Sequence, residues 1–148
     1  MSVMKSAGIL LKVLNDDIRT SFNKALIQYD LTISQTEVLC YIYLCTNIGK
    51  RINQIDIQNE FSLSNPTVTG ILKRLEKKDY IRRIRCEDDA RYKIVRLTEL
   101  GIEICNTMKE RAFQMDHRLV ENFTDEEKEM LFYLLRKMRD NINSCDSK

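Results

Sequence analysis

Proline is nearly missing from this chain, with Pro66 alone among 148 residues, and glycine is sparse at four. So few breakers leave no room for a long loop-rich linker and point to one compact, mainly helical domain. No apolar run approaches the roughly eighteen residues that a membrane-spanning helix requires, and Met1-Ser2-Val3-Met4-Lys5 lacks a signal-peptide core. A cytoplasmic protein with no membrane partner is expected. Histidine occurs once, as His117, which excludes a zinc site built from clustered His and Cys; no metal and no cofactor is expected. No Ser/His/Asp set, Gly-rich phosphate loop or paired acid motif stands in usable context, so no catalytic residue is assigned.

Cysteine is present, at 40, 45, 86, 105 and 145, but never as C-x-x-C. Cys40 and Cys105 fall on apolar faces and read as small core residues. Cys86 lies beside Arg85 and is the best candidate for a reactive thiol, although Glu87 and Asp88 oppose a lowered pKa.

Against these absences, residues 64 to 101 are dense with signal. Ser64 suits a helix N-cap and Pro66 the first turn, where a missing N–H is harmless. Val68, Ile71, Leu72 and Leu75 then recur at helical spacing as one apolar stripe. The opposite face holds Thr67, Thr69 and Gly70, with Lys73, Arg74 and Lys77 toward the C-terminus. Small polar groups at one end and cations at the other suit base edges flanked by phosphates, although a solvated helix face has the same composition.

After this helix, closed by Tyr80 and Ile81, two runs alternate apolar and charged residues: Arg82 to Arg85 and Lys93 to Leu97, joined by the charged loop Cys86 to Tyr92. Residues 64 to 97 contain ten Lys or Arg and five acids, a net +5, whereas the whole chain is only +2. Everything else therefore sums to −3, and the positive charge is gathered around one helix and one hairpin.

Upstream, Asn53 can cap a short helix through Phe61, with Ile52 before it and Ile55, Ile57 and Phe61 turned inward, and Ser62-Leu63 makes a tight turn. A helix from about Ser34 to Thr46 supplies a third wall through Val38, Leu39, Ile42 and Tyr43. The pattern is a winged helix-turn-helix: mainly α with a small β-wing.

Amphipathic helices flank it. Leu10, Leu14, Ile18, Phe22, Ala25 and Tyr29 form a stripe, widened by Val13 and Leu26. A helix from about Thr98 to Asn122 carries a seam at Cys105, Met108, Ala112, Met115 and Leu119, at alternating spacings of three and four. The last helix opens on the capping box Thr124 to Glu127 and should bury Met130, Leu131, Leu134, Leu135 and Met138. Either these helices interlock between two chains in a symmetric homodimer, or they close as a bundle within one chain.

Leu31-Thr32 through Gln35 to Val38-Leu39, then Ser64-Asn65-Pro66-Thr67-Val68-Thr69 with Leu75-Glu76-Lys77-Lys78, then Asp89-Ala90-Arg91 with Val95-Arg96-Leu97-Thr98 and Gly101 together resemble the MarR family of bacterial transcriptional regulators. The D-x-R wing followed by V-x-L-T-x-x-G is the most specific part. The resemblance spans nearly the whole chain and implies a single domain over 1–148, with a DNA-binding lobe at about 32–100 and dimerisation helices at about 3–30 and 101–145. It implies a homodimer on double-stranded DNA at a pseudo-palindromic operator, acting as a ligand-responsive repressor. The recognition-helix role falls on Ser64, Asn65, Thr67, Thr69, Lys73 and Arg74. The wing role falls on Arg91, with Asp89 shaping the loop and the flanking cations Arg85 and Lys93 beside it.

The family's small, often aromatic effectors enter a crevice between dimerisation helices and winged lobe, and Phe22, Tyr41 and Tyr43 could line such a crevice or pack the core. Two departures stand out: Gly70 replaces a contacting side chain seen in many relatives, and Asp79 replaces a glycine expected at a left-handed position. The family's thiol sensors resemble one another in a cysteine near the first helix, and none precedes Cys40 here. The other functional classes are a winged helix used for protein assembly and a thiol-oxidation-sensing regulator.

Overall fold

The structure is a computed structural model describing residues 6–85 and 93–145. The chain divides into two compact units, the first ending at Glu110 and the second beginning at Arg111.

In the first unit, α1 (Ala7–Leu26) runs into a short 3-10 turn, Ile27–Tyr29, stopped by Asp30 in the left-handed region (φ 52°). Helix α2 (Ile33–Asn47) starts one residue earlier than its apolar pattern predicts, because Thr32 and Gln35 form a capping box. The Gln35 N–H donates to Thr32 Oγ1 and the Thr32 N–H to Gln35 Oε1, both at 3.3 Å. At its end Gly49 (φ 72°) donates to the Thr46 carbonyl and Lys50 to the Cys45 carbonyl, using carbonyls a helix end would leave bare. Then come β1 (Ile52–Asn53), α3 (Gln54–Phe61), α4 (Asn65–Lys77), β2 (Ile81–Arg85), β3 (Lys93–Leu97) and the start of α5 (Glu99–Leu119).

The sheet has three antiparallel strands in the order β1-β3-β2, with Ile52 opposite Val95 and Ile81 opposite Leu97. The sequence pattern anticipates only the hairpin, and places Ile81 outside it. β1 is two residues long and pairs with a strand forty positions away, so no local periodicity marks it.

The core draws on the helices and strands of the first unit: Leu26, Val38, Leu39, Ile42, Ile57, Val68, Leu72, Leu75 and Ile81 are fully buried. Each such side chain contributes about 1.5–3 kcal/mol by leaving water. All four residues of the α4 stripe are buried as expected. Ile55 is not: it faces solvent at 49% exposure, while Phe61 packs edge-on against Tyr41, ring centroids 5.7 Å apart. In an eight-residue helix two faces remain open to an apolar residue, and Ile57 takes the inward one.

In the second unit, α6 (Asp125–Cys145) begins with the anticipated capping box: the Thr124 N–H donates to Glu127 Oε2 (2.8 Å) and the Glu127 N–H to Thr124 Oγ1 (3.2 Å). Much of its apolar side is exposed among the described residues, with Leu131 and Met138 half-buried. Met130 is 56% exposed, and Leu134 and Leu135 are exposed with it, contrary to the burial their spacing suggests. Leu10, Val13 and Leu14 of α1 are exposed as well. No helix of the described residues is long and apolar enough to cross a membrane.

Candidate nucleic-acid interface

Helix α4 is held by its buried stripe and shows the remaining face outward. Ser64 Oγ accepts the Thr67 N–H at 3.4 Å and lies 2.8 Å from Thr67 Oγ1, so the capped end is also a hydroxyl pair. Ser64, Asn65, Thr67, Lys73 and Arg74 are exposed together on this face, and Thr69 is half-buried. Lys73, Arg74 and Lys77 have no hydrogen-bond or ion-pair partner among the described residues. Gly70 lies one turn before Lys73 and Arg74, and the nearest atom a Cβ there would meet is Arg74 Nη1 at 3.9 Å.

Two residues that the sequence pattern does not single out, Gln54 and Gln58 of α3, reach across to this face. Gln54 Nε2 donates to Asn65 Oδ1 and to Thr69 Oγ1 (2.8 Å), and Gln58 Nε2 donates to Asn65 Oδ1 (3.0 Å). Their only sequence signal is a polar pair four apart on the helix preceding the reading helix. Gln54 is placed by the cap before it, where Asn53 Oδ1 accepts the N–H groups of Ile55 and Asp56.

The root of the wing is rigidly built. Arg83 donates to Glu76 Oε2 through Nε (3.0 Å) and through Nη2, and these bonds hold the Glu76 carboxyl below the usual carboxylate range. Lys78 is committed too, to Asp30 and to Gln35 Oε1. Two cations of the +5 segment therefore hold the fold. Arg85 and Lys93 remain exposed, opposite each other at the loop-side end of the hairpin strands. Asp89, Arg91 and Cys86 lie outside the described residues.

Asp79 occupies the left-handed position after α4 (φ 57°), with its N–H on the Glu76 carbonyl and the Tyr80 N–H on the Leu75 carbonyl. Next to it, the Thr98 N–H donates to the Tyr80 carbonyl (3.1 Å), Thr98 Oγ1 donates to the Asp79 carbonyl, and the Gly101 N–H donates to Thr98 Oγ1 (3.0 Å). Gly101 presses so closely on Tyr80 that an added Cβ would sit 2.0 Å from its carbonyl oxygen. Thus L-T-x-x-G in this chain joins the start of α5 to the end of α4.

Cys40 is half-buried and Cys45 and Cys105 are buried. The Cys105 thiol donates to the Leu39 carbonyl at 3.6 Å, and its pKa is pushed up, first by its hydrogen bond with Cys40 and then by burial. Such a thiol is a poor nucleophile. Among the described residues no three His, Cys, Asp or Glu side chains converge as a metal site would need.

A short helix, a tight turn, a second helix with a polar and cationic outer face, and a hairpin beside it define a winged helix-turn-helix DNA-binding regulator. The sequence pattern described as transcriptional regulator SarA/Rot matches residues 20–108. The chain is 32% identical over 132 residues to the multiple antibiotic resistance protein MarR of Salmonella typhimurium, covering 88% of this chain and 89% of that one. Its fold is similar to that of MepR, a transcription regulator of the Staphylococcus aureus multidrug efflux pump MepA, with TM-score 0.83 and 26% identity over 93% of this chain and 98% of the other. A MepR–DNA complex is similar at TM-score 0.72 and 27% identity, over 95% and 99% of the two chains. This protein belongs to the MarR family of bacterial winged-helix transcriptional regulators, of SarA/Rot type, and is not an enzyme.

Proposed function

We propose that the protein is a homodimeric repressor in the bacterial cytoplasm that binds a pseudo-palindromic operator and is modulated by a small effector. The observation that carries the reading is the outward face of α4: Ser64, Asn65 and Thr67 at its capped end, followed by the exposed cations Lys73 and Arg74. In this reading the capped end meets base edges in a major groove and the cations meet phosphates. Thr69 supports Asn65, Arg85 and Lys93 line the backbone, and Arg91, with Asp89 shaping its loop, contacts the adjacent minor groove or its phosphates.

The winged lobe spans about residues 32–100, and the segments about 3–30 and 101–145 form the dimer. Supporting the dimer are the uncovered apolar residues of α1 and of α6, surfaces that a second copy would remove from water. For the effector we assign the cavity of about 310 Å³ between the end of α2, β3 and the start of α5, where Thr46, Ile94, Val95 and Ile102 stand with Lys50 and Arg96. Its cations suit an acidic small molecule.

The test is footprinting on the promoter region beside its own gene, with sedimentation velocity at micromolar protomer. Two protected half-sites about one DNA turn apart and a dimeric species are expected. A monomer in solution, or protection of one isolated half-site, would sink the proposal.

A further inference from the structure

We infer that Gln54 and Gln58 set the base preference of the reading helix by consuming the carbonyl oxygen of Asn65, so that this residue meets DNA as a hydrogen-bond donor only. The inference rests on the proposal that α4 enters a groove, and it goes further by naming what the helix reads there. An asparagine amide recognises adenine with both ends, accepting from N6 and donating to N7. In this chain the accepting end is already in use. Asn65 Oδ1 receives Gln54 Nε2, Gln58 Nε2 at 3.0 Å and Thr69 Oγ1 at 3.4 Å. A carbonyl oxygen has two lone pairs, and three donors leave none for a base.

The donating end, Nδ2, has no acceptor among the described residues, and Asn65 is exposed. Turning the amide over would set Nδ2 against two glutamine donors. Gln54 Nε2 is also engaged by Thr69 Oγ1 at 2.8 Å, and its backbone follows the Asn53 cap. Asn65 is therefore matched to a base edge that only accepts: guanine O6 and N7, or thymine O4. Thr69, whose hydroxyl both accepts from Gln54 and donates to Asn65, is a positioning residue.

The experiment selects binding sites from randomised duplexes with the wild-type protein, Asn65→Ala and the double variant Gln54→Ala/Gln58→Ala, and then titrates each against the selected operator, its adenine-substituted form and calf-thymus DNA. Asn65→Ala should abolish preference at one position per half-site. In the wild-type selection that position should hold guanine or thymine, with adenine disfavoured about tenfold. The double variant Gln54→Ala/Gln58→Ala, which leaves only Thr69 on Asn65 Oδ1, should admit adenine there to within about threefold while calf-thymus affinity stays at the wild-type level, which also reports an intact fold. Adenine selected by the wild-type protein, or an unchanged preference in the double variant while Asn65→Ala relaxes it, would overturn the inference. If Asn65→Ala relaxes no position, it is the placement of α4 in the groove that fails.

Discussion

Replacing Gly101 by alanine should damage this fold more than its single added methyl suggests. The new Cβ would lie 2.0 Å from the Tyr80 carbonyl oxygen, 3.0 Å from its carbon and 3.2 Å from Leu97 Cδ2. A carbon and a carbonyl oxygen rest at about 3.3 Å or more, so α5 must retreat by about an ångström. The neighbouring atom is backbone and cannot rotate aside. Retreat stretches the Thr98 N–H bond to Tyr80 and the Thr98 Oγ1 bond to Asp79, and uncovers part of Ile81 and Leu97. With about 1 kcal/mol for each hydrogen bond and a comparable amount for lost packing, the expected loss is about 3 kcal/mol. At about 2–4 °C per kcal/mol for a chain of this size, the melting temperature should fall by roughly 10 °C. Urea denaturation followed by circular dichroism, at one fixed protomer concentration, measures this directly. A loss below about 1 kcal/mol would refute the close packing of α5 on the wing root.

Gly70→Ala should act in the opposite sense: its Cβ meets nothing nearer than 3.9 Å, so replacing a mid-helix glycine should stabilise by about 0.5–1 kcal/mol in the same denaturation assay. Removing the Arg83 partner should matter only where Glu76 is ionised. Its folded pKa lies below the unfolded value, so the pair stabilises above the ordinary carboxylate pKa and that stability disappears as pH falls through the depressed one. Because the carboxylate is partly exposed the effect stays below about 1 kcal/mol, and Arg83→Gln should cost stability at pH 7 and progressively less as pH falls through the depressed pKa; a loss independent of pH would exclude the ion pair as the cause. Arg91→Ala and Lys73→Ala should each weaken operator binding and lower the salt slope by about one, whereas Thr67→Ala should shift sequence preference. An unchanged operator affinity for Arg91→Ala at fixed salt would remove the wing tip from the interface.

What could be read from the sequence was what is local along it. Ser64, Asn53 and Thr124 announce their helices because a cap and the N–H groups it satisfies lie within three residues. The α4 stripe is legible for the same reason, through a period of 3.6. Pairing across distance is not: nothing near Ile52 reveals Val95, and nothing near Asn65 reveals Gln54. Charge counting also treats every cation alike, whereas geometry assigns Arg83 to Glu76 and leaves Lys73 and Arg74 unpaired among the described residues. The apolar spacing of α6 predicts burial, yet Met130, Leu134 and Leu135 are exposed in the chain, because a periodic stripe carries no information on which surface, if any, lies against it.

Asn53 belongs to two structures at once. Its backbone is the last residue of β1, opposite Ile94 in the wing, while its side chain anchors the first turn of α3, and the next residue is Gln54. If the wing engages DNA as proposed, a displacement of the hairpin would reach Asn53 through β3 and, one peptide bond on, the amide that orients Asn65. Hairpin and helix would then act as coupled rather than independent probes, and affinity changes made at the flank and at the centre of a half-site should not add.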